Sequence, residues 1–367
     1  MGKIMYLRKG GVAKLLSAII GIPSYYGKAP TNTVARHGLG AATPVGDYAI
    51  IAGNSNKVTV YDSTLTRLTA DTLNVTHSAT DWGDRLCAAS LEDYAFFGGG
   101  AASVYSTFPN VYGVDLVRYT ASNYSNPRIN DCAVAIGEYV LFAGGEPDFD
   151  NGYDTSAPIE AYTANLSRVD AGSLTVPAPH MVAASTGKQA IIAGGQQWDD
   201  TSGQKYSGGY DWAWAITPEL TKTSIASLSR QTFSMTGVHV GKYALLAGGE
   251  YYDNSGTSGT VSISSKSNLV EAYDQNLTKT FADPLNTARY GMAAASLKNC
   301  ALFGGGYYTK VVDCYTSELV HTIMTDMSTA RHNLMGTFVG DYVLFAGGIK
   351  SASATSYLNT VDVYLIS

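Results

Sequence analysis

The sequence predicts an all-β chain closed into one seven-bladed β-propeller, and three observations carry that prediction. First, one phrase returns seven times: "DYAIIAGN" from Asp47, "DYAFFGGG" from Asp93, "EYVLFAGG" from Glu138, "KQAIIAGG" from Lys188, "KYALLAGG" from Lys242, "NCALFGGG" from Asn299 and "DYVLFAGG" from Asp341. Second, aligned on the first glycine of the shared glycine pair, the copies fall at Gly53, Gly99, Gly144, Gly194, Gly248, Gly305 and Gly347, with spacings of 46, 45, 50, 54, 57 and 42 residues. This is the period of a four-stranded blade. Third, each repeat reads as four short strands separated by turn residues, with no helical period.

The first strand of a repeat is built from small residues, as in "CAVAI" (132–136), and a two-residue turn such as "GE" or "GD" follows it, as hairpin chemistry prefers. The motif is the second strand. Its apolar run lacks strict alternation because it is buried on both faces between blades. Its glycines stand where a neighbouring sheet leaves no room for a Cβ. The third strand ends in an aromatic: "VTVY" to Tyr61, "LVRY" to Tyr119, "IEAY" to Tyr162, "VEAY" to Tyr273, "VDCY" to Tyr315 and "VDVY" to Tyr364, with "WAWAI" in the fourth repeat. The fourth strand is expected to begin at Leu65, Leu166, Leu220, Leu277 and Leu319, with repeat two irregular. The seventh repeat stops at Ser367 after its third strand. Counting back from Arg36 by the offset between Leu277 and Arg289 leads to Ser24, so "SYYGK" (24–28) is expected to complete the last blade and remove the open edge.

Composition sets the outer limits. The 367 residues are 45% hydrophobic and only 15% charged, with a formal net charge of -6. So mild an acidity with no basic run argues against duplex nucleic acid as a partner. Gly, Ser, Thr, Asn and 26 Tyr give a polar balance resembling extracellular or particle-surface proteins. Cys87, Cys132, Cys300 and Cys314 lack Cys-x-x-Cys spacing, so buried free thiols are expected rather than a zinc site. Residues 1–22 are surplus to the propeller, which is assigned to 23–367. They join Lys3, Arg8, Lys9 and Lys14 to an apolar run at 15–22 that faintly imitates a signal peptide and is too short to span a membrane. This segment is expected to dock on a partner chain or particle.

The glycine pair and the period resemble the kelch repeat, from about residue 24 to the end of the chain. Many kelch repeats place Trp in the fourth strand, where this chain has Leu. Its phrasing, "VEAYDQNLTKT…LNTARYGMAAASLKNCALFGGG", is similar to a subgroup of gut bacteria and their phages that often sits among tail and fibre proteins. The resemblance implies a kelch-type propeller and, as the leading expectation, a virion-surface protein that meets other virion proteins and a host glycan or protein. A secreted bacterial carbohydrate-binding or sugar-modifying propeller is the alternative.

The face carrying the loops between second and third strands is where recognition is expected, because four consecutive loops there are long: "AASVYSTFPNVYG", "EPDFDNGYDTSAP", "QQWDDTSGQKYSGGYDW" and "EYYDNSGTSGTVSISSKSN". Those after Gly53 ("NSNK") and Gly305 ("GYYTK") are short. Aromatics and acids meet in the long loops, a mixture suited to stacking on a sugar face while accepting its hydroxyls. The candidate ligand-binding residues are Trp198, Asp199, Asp200, Tyr206, Tyr210, Tyr251, Tyr252, Asp148 and Asp150. Trp212 and Trp214 are expected in blade core. "DFDNGYD" lacks the closing Glu of a calcium loop, so no metal is assigned. Arg36, Arg128, Arg230, Arg289 and Arg331 precede the first strands and are expected near the channel mouth, either receiving an acidic ligand or tying interblade connections to carbonyls or to Glu146 and Glu250.

No phosphate loop, nucleophile elbow or His-x-x-x-His helix is present, so the expectation is a non-enzyme without cofactor. Two kelch propellers set the comparison. Galactose oxidase needs a copper site with a Tyr-linked Cys, and no Cys here lies in a loop with His and Tyr. Sialate mutarotase uses a Glu and an Arg, a pair that Glu146 or Glu250 with Arg230 imitates without a fixing motif.

Overall fold

The computed structural model describes residues 23–32, 40–53, 55–74, 86–99, 107–126, 128–147, 157–198, 206–252, 264–350 and 356–367, with the backbone alone at 128–131, 146–147, 198, 206–207, 252 and 264. The motif strands, such as Tyr243–Ala247 and Tyr342–Ala346, are buried at every position after the leading tyrosine. Each is the second strand of one of seven four-stranded antiparallel sheets. The first strands are Ala41–Val45, Leu86–Leu91, Arg128–Ile136, Val182–Ser185, Thr236–Val240, Ala293–Leu297 and Met335–Val339. Each touches the next, and the last touches the first, so the blades form a closed ring. Seven apolar clusters fill the seven interfaces between neighbouring blades, so the core is distributed around the ring.

The closure follows the sequence expectation. Ser24–Ala29 pairs antiparallel with Val361–Leu365, from Ser24 opposite Leu365 to Ala29 opposite Val361, with a bulge between Tyr25 and Gly27. The Tyr25 hydroxyl donates to Asp362 Oδ1 at 2.9 Å, joining the two ends of the chain by a side chain as well as by the ladder.

The motif glycines answer to two demands. Gly194, Gly248, Gly305 and Gly347 have φ of 64 to 67°, in the left-handed region. A Cβ on Gly305 would lie 2.8 Å from the Arg331 carbonyl oxygen, and one on Gly248 would collide with that of Arg289. The next glycine donates its N–H to the same carbonyl: Gly249 to Arg289 at 3.0 Å and Gly306 to Arg331 at 2.9 Å. The same bond runs from Gly145 to the Ala178 carbonyl at 3.0 Å and from Gly195 to the Thr232 carbonyl at 3.1 Å, so among the described residues the pair writes an interblade hydrogen bond into four blades.

Two strand assignments need correction. The repeated leucines do not start the fourth strands. Leu65, Leu116, Leu166, Leu220, Leu277 and Leu319 are turn residues with φ of 60 to 63°, and the strands begin two residues later, at Arg67, Arg118, Arg168, Lys222, Lys279 and His321. These leucines pack into the interblade clusters, and that burial holds a side chain in a conformation it otherwise avoids. In blade 2 the third strand is Asn110–Gly113, with Tyr112 as its buried aromatic, while Tyr119 lies on the fourth strand, Arg118–Thr120. The long inserts of blades 4 and 5 also begin and end as strands: Gln196–Trp198 pairs with Tyr206–Gly209, and Glu250–Tyr252 with Ser264–Lys266.

Candidate functional site

The arginines separate first. Arg289 and Arg331 are 0% exposed, so neither reaches the channel mouth. Arg331 donates to Asp362 Oδ2 at 2.6 Å and to the Phe345 carbonyl at 3.0 Å; Arg289 is bound in the same way to Asp313 and the Phe303 carbonyl. Both are internal ties of a blade, with aspartates of the third strand as partners. The same acidic position caps the incoming connection: Asn286 N–H donates to Asp313 at 3.0 Å, Ser328 to Asp362 at 3.0 Å, Ser229 to Glu271 at 2.9 Å and Ser125 to Glu160 at 2.8 Å. Arg230 stands two places early. In its blade Thr232 supplies the carbonyl that Arg289 and Arg331 supply elsewhere, so the Arg230 side chain is left exposed on the surface.

The loop-rich face is built up over blades 3 to 5. The inner hairpin of blade 3 extends to Arg128 opposite Pro147, and the inserted hairpins of blades 4 and 5 touch through Tyr206–Gly209 and Glu250–Tyr252. Trp198 and Tyr206 are cross-strand partners. On blade 5, Glu250 pairs with Lys266 and Tyr251 with Ser265. Strand alternation therefore turns Glu250 and Tyr251 to opposite faces of the hairpin. The Arg230 guanidinium lies over the Tyr251 ring, 4.5 Å from its centroid. Glu250 acts toward blade 6, where its charge and burial raise the Tyr290 phenol to about 12, burial being the larger cause. The Glu250 and Arg230 expected as a pair thus serve opposite sides of one hairpin.

Tyr210 stacks on Trp212 at 3.8 Å, and Trp212 meets Trp214 edge-on at 5.3 Å. Trp214 is buried between blades 3 and 4, and the other two are half-buried against the same cluster, so Tyr210 serves packing in part. Asp148, Asp150, Asp199, Asp200 and Arg36 lie outside the described residues, as do the side chains of Trp198, Tyr206, Tyr252 and Arg128.

A second cluster, which the sequence reading passed over, occupies blades 5 to 7. Equivalent backbone bonds repeat around the face: Gln196 N–H to Pro179 O at 2.8 Å, Glu250 to Phe233 at 2.8 Å, Tyr307 to Tyr290 at 3.0 Å and Ile349 to His332 at 2.9 Å. The scaffold is constant while the side chains change. In blade 6 Tyr290 and Tyr307 have ring centroids 5.5 Å apart, Tyr307 and Tyr308 6.0 Å, and Tyr308 and His332 4.2 Å. Tyr307 and Tyr308 both have positive φ, 43° and 58°, a costly conformation for consecutive aromatics. Lys266 sends its ammonium over the Tyr307 ring, 3.4 Å from the centroid. Tyr307 is 44% exposed. The available signal was the doubled tyrosine of "GYYTK", which its short loop concealed. Among the described residues no group of three or more His, Cys, Asp or Glu is placed to hold a metal, and no helix is long and apolar enough to cross a membrane.

Fold and face together define a seven-bladed β-propeller with aromatic and charged side chains gathered over blades 4 to 7. No family model and no curated protein matches the chain. Among solved structures, YjhT is similar in fold, with a TM-score of 0.55 at 10% identity over 91% of this chain and 96% of its own. At that identity, and with 946 solved chains matching, the likeness fixes the architecture and leaves function to the site.

Proposed function

We propose that this chain is a carbohydrate-binding propeller that takes its ligand on the loop-rich face over blades 4 to 7. The observation that carries the reading is the blade 5 hairpin, which presents Tyr251 beneath Arg230 on one side and Lys266 over Tyr307 on the other. Rings offer a face to the C–H side of a pyranose, and flanking charges orient its hydroxyls. The reading follows the alternative of a carbohydrate-binding propeller because it rests on these side chains, whereas a role tied to a virion rests on the repeat phrasing. Binding without turnover is the reading because Glu250 and Arg230 turn to different sides of the hairpin. The test is a glycan array probed with the whole chain and with a Trp198→Ala/Tyr251→Ala variant whose fold is verified by circular dichroism. Glycan binding that weakens in the variant supports the reading; an array on which the unaltered chain binds nothing sinks it.

A further inference from the structure

We propose that Tyr290, Tyr307, Tyr308 and Glu250 form an aromatic cage for an ammonium group, and that Lys266 of the chain itself fills it when no ligand is present. The rings tilt toward one another at 47 and 48°, which surrounds a point with π-faces in a way that parallel stacking does not. The negative faces of such rings attract a cation, and a neighbouring carboxylate adds to the attraction. The Lys266 ammonium over Tyr307 shows that a positive nitrogen already fits there. The backbone fixes where the two rings stand: Tyr307 and Tyr308 are the central residues of a tight turn closed by the Thr309 N–H to the Gly306 carbonyl at 3.0 Å, and their positive φ belongs to that turn. Underneath, His332 is buried against Tyr308 and closes the floor of the site.

The inference goes beyond the carbohydrate reading, because the cage would take an ammonium whether a sugar or another carrier brings it. It makes a prediction of opposite sign from a site for acidic ligands. If Lys266 competes with the ligand, Lys266→Met tightens ammonium binding by about two- to fivefold, the exposed cation–π range converted to affinity. If Lys266 instead attracts an anion, the same change weakens binding.

The experiment uses the full chain with choline chloride, glucosamine hydrochloride and N-acetylglucosamine as probes, followed by saturation-transfer NMR and calorimetry. Choline against glucosamine separates a free ammonium carrier from an amino sugar, and N-acetylglucosamine is the uncharged control. Expected are binding of a charged probe, none of the control, a gain with Lys266→Met and a loss of about fivefold or more with Tyr307→Leu, which keeps apolar bulk while removing the π-face. Failure of both charged probes to bind either the unaltered chain or Lys266→Met overturns the cage. So does binding that Tyr307→Leu leaves intact, or that Lys266→Met weakens. A chain that binds neutral glycans and ignores both ammonium probes keeps the proposed function and loses this inference. Lys266 is part-exposed in a hairpin, so its substitution keeps the test valid even where Tyr307→Leu disturbs the turn.

Discussion

Replacing Arg331 by Met is expected to be the most damaging single surface-neutral change at the ring closure. The guanidinium is fully buried and bonded to Asp362 Oδ2 at 2.6 Å and the Phe345 carbonyl at 3.0 Å. Burial lowers its pKa from the ordinary value while the Asp362 charge opposes that change. Met preserves much of the volume but leaves a buried carboxylate without its counter-ion, a loss of about 3–5 kcal/mol. Asp362 keeps donors in Ser328 N–H, Ser328 Oγ and Tyr25 Oη, which places the expectation near the lower end, about 3 kcal/mol. Removing both charges in Arg331→Met/Asp362→Leu should cost less than Arg331→Met alone, since the unpaired charge is the expensive species. Urea titration at neutral pH measures both, with Arg230→Met as the exposed control, expected within about 0.5 kcal/mol of the unaltered chain. Equal losses for Arg331→Met and Arg230→Met would refute the division between buried and surface arginines.

Three further outcomes follow from the same geometry. Deleting residues 1–22 should leave the melting temperature unchanged, whereas deleting 1–32 removes Ser24–Ala29, exposes the edge of Val361–Leu365 and should produce aggregation visible by light scattering. Gly248→Ala forces a Cβ into the Arg289 carbonyl at a φ of 67° and should cost at least about 1–2 kcal/mol by denaturant titration. At high pH, burial and then the Asp362 hydrogen bond raise Tyr25 to about 12, so the neutral phenol's contribution is complete below the unfolded value of roughly pH 10 and is lost as pH rises through 12. Tyr112, Tyr273, Tyr315 and Tyr364 shift in the same direction, chiefly by burial. Melting temperature should fall across that window, and less steeply in Tyr25→Phe.

The repeat made the architecture legible because the motif recurs once per blade, with a glycine pair in six of its seven copies and Gly53–Asn54 in the first. The strand that completes the last blade was equally visible, since the offset from Leu277 to Arg289, counted back from Arg36, leads to Ser24, and Ser24–Ala29 pairs with Val361–Leu365. Blade 2 was misread for want of a second ruler. Tyr61 and Leu65, Tyr162 and Leu166, Tyr273 and Leu277, and Tyr315 and Leu319 share one spacing, and Tyr112 with Leu116 obeys it where Tyr119 does not. Aligning connections on arginine also misled. The buried Leu228, Leu285 and Met327 set the true register and place Thr232, not Arg230, level with Arg289 and Arg331. The site was the least legible part, because Tyr290, Tyr307, Tyr308 and His332 come from two connections and a short loop that only the ring brings together. Aromatic residues in long inserts draw attention by length; a five-residue loop carrying two strained tyrosines does not.

Hydrogen–deuterium exchange of the whole chain, with and without a glycan selected on the array, tests most directly whether the loop-rich face of the propeller is the binding face. Protection should appear in Gln196–Trp198, Tyr206–Gly209, Glu250–Tyr252, Ser264–Lys266 and residues 306–309, the backbone that carries the face. Protection confined to the opposite turns, where Leu65, Leu166, Leu277 and Leu319 sit, would contradict it.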